Sequence, residues 1–217
     1  MGLTFEELVR RAAGLAAGGR AILGITGPPG AGKSTLAEEL LRALPAGQVA
    51  HVPMDGYHLA DAELERLGLR DRKGAPDTFD ALGYAALLDR LRRAPDDLIY
   101  APGFERVIEQ PIAGAVAVPP AARLILTEGN YLLLDDPRWR RVRPLLDEVW
   151  YADLDDGERL RRLIDRHVRF GKERDRAVAW ATGTDERNAR LIAATRDRAD
   201  LIVPAGLIRE LGTAPPP

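Results

Sequence analysis

Ala21-Ile-Leu-Gly-Ile-Thr26, Gly27-Pro-Pro-Gly-Ala-Gly-Lys33-Ser34-Thr35 and Leu36-Ala-Glu-Glu-Leu-Leu-Arg-Ala-Leu44 follow one another without a gap. The first is an apolar run, the last has helical period, and the middle fits G-x-x-x-x-G-K-[ST] at every fixed position. A strand, a glycine-rich turn and a helix in this order make a P-loop, whose glycines let several backbone N–H groups point inward at a polyphosphate. The positive end of the helix adds to their pull. Gly27, Pro28, Pro29, Gly30, Ala31, Gly32, Lys33, Ser34 and Thr35 are therefore expected around a nucleotide's phosphates. Lys33 is expected to reach the β- and γ-phosphate oxygens, and Ser34 to place its hydroxyl on Mg²⁺.

Outward from this unit, apolar runs rich in β-branched residues recur at 48–52, 98–100, 123–127, 148–152 and 201–203. Helical period fills 5–17, 61–67, 80–93, 157–170 and 174–198, the last interrupted near Thr182-Gly-Thr-Asp185. Asp80 is an expected N-cap. The alternation predicts an α/β fold of the P-loop NTPase kind, three layers α/β/α around a mostly parallel five-stranded sheet with ligands at the strands' C-terminal edge. A length of 217 residues suggests one domain over 1–217, with a helical, arginine-rich lid at about 156–185 and a frayed tail at about 212–217. The segments 70–79 and 102–120 read as long irregular loops, expected to bind an acceptor.

Composition narrows the chemistry. A net charge of −2 argues against a global footprint for nucleic acid or anionic membrane. With no cysteine and three histidines in no ligand-like spacing, thiolate and zinc sites are excluded, so the metal expected is Mg²⁺ held with the nucleotide. Residues 4–12 read as an amphipathic helix rather than a signal peptide, and no run is long enough to span a bilayer, so a cytoplasmic address is expected. Only three of the 31 basic residues are lysines, Lys33, Lys73 and Lys172.

Three further constellations stand at expected strand ends or beside them. Val52-Pro-Met-Asp55-Gly-Tyr-His58 puts a carboxylate near the terminal phosphate, where it suits an alcohol's proton, although Asp-Gly alone reads equally as a turn. Leu124-Ile-Leu-Thr-Glu128-Gly129 resembles a Walker B element, whose carboxylate holds a water of the Mg²⁺ shell or contacts the acceptor; a plain strand-end turn is the competing reading. Arg162, Arg166 and Arg169 share one helical face, fit to close over a transferring phosphoryl group, or else to pair with nearby acids on a solvated face.

In order along the chain, the P-loop, Met54-Asp-Gly-Tyr-His58, Arg72-Lys-Gly-Ala-Pro76, Ala101-Pro-Gly-Phe-Glu-Arg106, Thr127-Glu-Gly-Asn-Tyr131 and Ala199-Asp-Leu-Ile-Val203 resemble the uridine kinase and type I pantothenate kinase group of P-loop kinases. The likeness covers nearly the whole chain and is greatest to bacterial members labelled nucleoside/nucleotide kinase-like or fructose-transport-associated. It implies Asp55 as catalytic base, Glu128 as the acid of the Glu-Gly element, and the 72–76 loop beside the acceptor. Glu105 and Arg106 replace a small neutral set found in pantothenate kinases, and the uridine kinase Asp-Ser-Phe-Tyr element is absent in that form.

The expected activity is thus ATP- and Mg²⁺-dependent transfer of a phosphoryl group to a hydroxyl of a small polar metabolite such as a sugar, polyol, nucleoside or pantothenate-like compound. Asp55, Lys33, Arg162 and Arg166 are the expected catalytic residues, with Arg169 on the nucleotide and Ser34 and, through water, Glu128 on the metal. Tyr57, His58, Arg72, Lys73, Tyr100, Glu105, Arg106 and Tyr131 are expected at the acceptor, although Tyr57, Phe79, Phe104 and Tyr131 read equally as core aromatics. The partner expected is a small-molecule hydroxyl acceptor, not nucleic acid or membrane, with a homodimer left open. An ATP-driven regulatory switch is the alternative; a guanine-binding element is absent, and a nucleoside monophosphate kinase lacks an early acceptor-phosphate arginine.

Overall fold

The computed structural model describes residues 2–213. The chain runs α1 (Phe5–Leu15), β1 (Ala21–Thr26), α2 (Lys33–Ala43), β2 (Val49–His51), α3 (Asp61–Leu67), α4 (Ala81–Arg93), β3 (Ile99–Glu105) and β4 (Gln110–Val118). It continues with β5 (Leu124–Glu128), β6 (Glu148–Ala152), α5 (Asp156–Arg169), α6 (Arg174–Trp180), α7 (Glu186–Ala193), β7 (Leu201–Val203) and α8 (Ala205–Thr213). Because α8 carries the backbone through Thr213, only residues 214–217 of the expected tail are left, and they lie outside the described residues.

Five strands form one sheet in the order β2-β5-β1-β6-β7, every neighbouring pair parallel. β1 is central and buried at all six positions, as a continuous apolar strand covered on both faces must be. Leu23 and Ile25 face α1, α2 and α8, packing with Leu8, Leu36, Leu40 and Ile208. On the other face Ile22, Ile125 and Val149 meet α4 and α7 through Tyr84, Leu88 and Ile192, together with Trp139 from a 3₁₀ turn at Trp139–Arg141. Local signals set the helix ends: Thr4 and Glu7 close a capping box on α1, and the Asp80 carboxylate accepts from Gly83 N at 2.8 Å to start α4.

The region 98–120 departs from its sequence reading. Residues 98–100 do not join the parallel sheet, and 102–120 is not irregular; β3 and β4 pair antiparallel as a separate two-stranded hairpin. Only Ile99, Ala101, Gly103 and Val118 of these strands are buried, so the outer face lacks the apolar alternation that marks a strand in sequence. Pro102, Gly103 and Pro111 add turn signals inside the strands, and the ladder shifts register between Ala101 and Gly103.

The arginine-rich segment folds as α5 and α6, then a π-helical turn over Ala181–Asp185 leading into α7, which accounts for the break expected near 182–185. No helix among the described residues is long and apolar enough to cross a membrane.

Candidate active site

β1 delivers the chain to the sheet's C-terminal edge, where Gly27, Gly30 and Gly32 all take positive φ, at 149°, 84° and 87°. At Gly27 the space matters as well as the torsion: a Cβ there would meet the Ala152 carbonyl of β6 at 2.7 Å. Gly32 precedes α2, whose first-turn N–H groups have no intrahelical partner and face the loop's interior. Lys33 is buried and donates to the Pro28 carbonyl at 3.0 Å. Burial lowers its pKa to about 8, with Glu128 and Asp55 opposing and Arg166 and Arg106 reinforcing. Ser34 donates from Oγ to Glu128 Oε1 at 3.2 Å, so the hydroxyl and the carboxylate converge at the strand ends.

Above the loop lies a cavity of about 490 Å³ lined by Lys33, Ser34, Thr35, Glu128, Arg162, Arg166 and Arg169, among others. A neighbouring cavity of about 330 Å³ is lined by Pro29, His58, Lys73, Phe79, Phe104, Asn130 and Lys172, among others. The two share Asp55, Phe104, Arg106 and Arg166 as a common wall. Asp55 Oδ2 accepts from Arg106 Nη2 at 2.8 Å. Burial pushes the Asp55 carboxyl up, but His58, Arg106, Lys33 and Arg166 outweigh it and hold the group below the usual carboxylate range. The Arg166 guanidinium makes no hydrogen bond or ion pair among the described residues; desolvation in the cleft, then Arg106, lowers its pKa.

The turn that carries Asp55 is fixed by close packing. In the single 3₁₀ turn Met54–Tyr57, Gly56 lies under the hairpin, where a Cβ would stand 2.2 Å from the Pro102 carbonyl oxygen. Gly129 packs on Met54 in the same way, with Cβ and Sδ each at 2.5 Å from the position of an added methyl. The glycine of the Glu-Gly element therefore serves contact between β5 and the Asp55 turn. His58 sits between Phe79 and Phe104, at centroid distances of 4.0 and 4.7 Å. Its Nδ1 is 2.8 Å from the Asp55 carbonyl oxygen, which only accepts, so Nδ1 carries the proton and Nε2 keeps its lone pair. Burial holds His58 below its ordinary pKa, against Asp55.

Of the residues expected at the acceptor, His58, Lys73 and Arg106 line the second cavity. Five others do not. Tyr57 packs on Tyr84 at 5.3 Å, with burial raising its pKa to about 12. Tyr131 is fully buried, its hydroxyl donating to the Gly74 carbonyl. Arg72 pairs with Asp77 at the surface. Tyr100 is on the hairpin's exposed face, and the Glu105 carboxylate turns back to accept from Val107 N. Tyr57 and Tyr131 go to the core because the loops above it must be sealed. Arg162 lines the phosphate-side cavity but also pairs with Glu158 at 2.6 Å.

Several lining residues were not among the expected site residues: Arg70, Phe104, Glu109, Asn130, His167, Trp180 and Asp185; Lys172, whose segment reads equally as flanking the site or as solvated surface, lines it too. The π turn puts Asp185 Oδ2 2.8 Å from His167 Nε2. Arg159, only 1% exposed, bonds Glu186 at 2.6 Å and lies 3.4 Å from the Pro29 carbonyl, tying α5 and α7 to the P-loop.

Comparison with known proteins bears on the family of the chain. A family model for magnesium chelatase, subunit ChlI, matches residues 3–53, the segment holding the P-loop and little else. Over a longer span, the chain is 34% identical to a Schizosaccharomyces pombe protein named for uridine kinase, covering 77% of this chain and 75% of that protein. It is 30% identical to the uridine kinase of Clostridium perfringens, covering 85% of this chain and 86% of that one. The chain belongs to the uridine kinase family of P-loop kinases. A solved structure described as a fructose transport system kinase from Silicibacter sp. TM1040 superposes with a TM-score of 0.84 at 39% identity, covering 94% of this chain and 100% of that one. Membership in the uridine kinase family makes the protein an ATP-dependent phosphotransferase acting on a hydroxyl group of a small-molecule acceptor.

Proposed function

We propose that the protein transfers the γ-phosphoryl group of ATP, with Mg²⁺, to a hydroxyl of a small polar metabolite: a sugar, polyol, nucleoside or pantothenate-like compound. The observation that carries this reading is the position of Asp55 in the wall common to the two cavities, one above the P-loop and one lined by His58 and Lys73. A donor and an acceptor held on either side would meet at that carboxylate.

In this reading the P-loop amides and Lys33 hold the triphosphate. Asp55, kept ionised by its surroundings, accepts a hydrogen bond from the acceptor hydroxyl and aims its oxygen in line. The oxygen–phosphorus bond to the acceptor forms as the bond to the departing ADP oxygen breaks, and the hydroxyl proton passes to Asp55. A low pKa suits this, because in a loose transition state the hydroxyl loses its proton late and orientation matters more than basicity. Arg166 and Arg162 stabilise charge on the migrating group, and Arg169 lies toward the nucleotide. The convergence of Ser34 and Glu128 fits a hydrated Mg²⁺, Ser34 binding directly and Glu128 through water; the ion would neutralise phosphate oxygens. Residues 156–185 act as a lid on one domain spanning 1–217, excluding water from the transfer.

A coupled ADP assay over sugars, polyols, nucleosides and pantothenate tests the proposal. ADP formation that depends on one class of acceptor, with a product heavier by one phosphoryl group, is the expected result. Steady release of inorganic phosphate unaffected by every acceptor would instead identify a regulatory nucleotidase.

A further inference from the structure

The cavity on the far side of Asp55 has an unbalanced wall. Most of its charges are matched: Asp55 by Arg106, Glu109 by Lys172 at 3.1 Å, and Asp185 by a hydrogen bond with His167. At one end Arg70 and Lys73 share the Asp61 carboxylate, and Arg70 also lies 3.9 Å from the exposed Glu65 carboxylate. Arg70 Nη2 is 2.7 Å from Asp61 Oδ2, and Lys73 Nζ is 2.6 Å from Asp61 Oδ1. Both cations line the cavity, whereas Asp61 stands behind them and does not. Five cations, Arg70, Lys73, Arg106, Arg166 and Lys172, line this cavity against three carboxylates, Asp55, Glu109 and Asp185, so its wall carries more positive than negative groups.

Lys73 is built for that position. Its side chain is 8% exposed, and two of its three ammonium protons go to Asp61 and the Glu109 carbonyl, leaving the third free. Its Nζ lies 5.7 Å from the centre of the Phe104 ring, and the Arg106 guanidinium lies 5.3 Å from the same ring. Phe104 thus spans the interval between the Asp55–Arg106 pair and Lys73, an interval that a molecule a few carbon atoms long can bridge. A cavity wall with more cations than carboxylates favours an anionic occupant that completes the balance.

We infer that this end of the cavity is an anion subsite, and that the acceptor is a hydroxylated molecule with a carboxylate or phosphate on the end opposite its reacting hydroxyl. The inference rests on the acceptor-cavity reading above and deepens it: a neutral nucleoside or sugar leaves the wall's excess of positive groups unanswered, whereas a hydroxy acid or sugar phosphate balances it. His58 Nε2, a hydrogen-bond acceptor on the same wall, suits an intervening hydroxyl.

The test measures binding separately from turnover, on full-length protein saturated with a non-hydrolysable ATP analogue and Mg²⁺. Matched probes differ only at one end: glycerol, glycerate and glycerol 3-phosphate; glucose, gluconate and glucose 6-phosphate; uridine and uridine 5′-monophosphate. In at least one set the anionic member is expected to bind ten-fold or more tighter than its neutral counterpart, and the carboxylate and phosphate arms show which anion fits. Lys73→Met should collapse that ratio toward one while leaving nucleotide affinity intact, and Arg70 still partners Asp61 in the variant. Should Lys73→Met not fold, Arg70→Gln, at a half-exposed position, should shrink the ratio several-fold. Neutral members binding as well as or better than anionic ones, no anionic member binding, or a ratio that survives the substitution would each overturn the subsite. Anionic probes that bind yet yield no ADP when ATP replaces the analogue leave the subsite standing and overturn the kinase proposal instead.

Discussion

Lys33 carries its charge at a cost. Burial brings its pKa to about 8 from the 10.5 of a free lysine, so the unfolded chain binds that proton more tightly than the folded one. The sign follows: below about 8 the penalty is fully present, and the nucleotide-free protein gains stability as pH rises from there toward 10.5. The gain is on the order of 3 kcal/mol at most. Urea midpoints followed through that window should climb for the wild type relative to Lys33→Met; parallel curves would show that Lys33 is not so perturbed. A triphosphate reverses the bias by supplying the missing anions. Calorimetry near pH 8 in buffers of different ionisation enthalpy should therefore register proton uptake on nucleotide binding, absent in Lys33→Met. Arg106 acts on Asp55 in the same currency. Burial raises that carboxyl and Arg106 is among the cations pulling it down, so Arg106→Gln should shift the acid limb of the rate profile to higher pH and lower turnover roughly ten-fold. An unmoved limb would mean that the pair seen at 2.8 Å does not govern the base.

At the scale of elements, the 3₁₀ turn bearing Asp55 is held by two glycine contacts rather than by hydrogen bonds alone. Gly56→Ala would drive a methyl into the Pro102 carbonyl, 2.2 Å away, and push the hairpin off the turn. A loss of about 1–3 kcal/mol in urea unfolding is expected, as for other overpacked sites. Turnover should fall further than nucleotide affinity, because the displaced elements carry Asp55 and Arg106 rather than the P-loop. Equal stability and turnover would refute the contact. These elements differ in how plainly the chain announces them. The P-loop, α3 and α4 could be read from local chemistry: glycines, the Asp80 cap, unbroken helical period. The β3–β4 hairpin could not, since its outer face runs Ala113, Gly114, Ala115 with no apolar stripe, and its prolines look like loop. Its role depends on where it lands, over Gly56, which no local pattern encodes.

Over the whole molecule, the same limit explains which site residues were visible. Asp55, His58, Lys73 and Arg106 stand in motifs of recognisable order. Arg70, Glu109, Asn130, His167 and Asp185 come from five separate segments and meet only in the folded chain, around one cavity. Conversely Tyr57 and Tyr131 sit in those motifs yet seal the core beneath the site. Arg159 is the tie that closes this arrangement, linking α5 to Glu186 of α7 and to the P-loop at Pro29. Arg159→Met should cost about 1–3 kcal/mol, discounted because Glu186 keeps some contact with solvent, and should weaken nucleotide binding with it. A variant that loses stability but binds nucleotide normally would show the lid and the P-loop to be uncoupled. The account as a whole turns on one carboxylate standing between two cavities, and Asp55→Asn measures it most directly, with turnover by coupled ADP release and nucleotide affinity by calorimetry on the same preparation. The expected result is acceptor-dependent turnover lowered by at least a hundred-fold with nucleotide affinity within about two-fold of wild type. Turnover undiminished in that variant would contradict it.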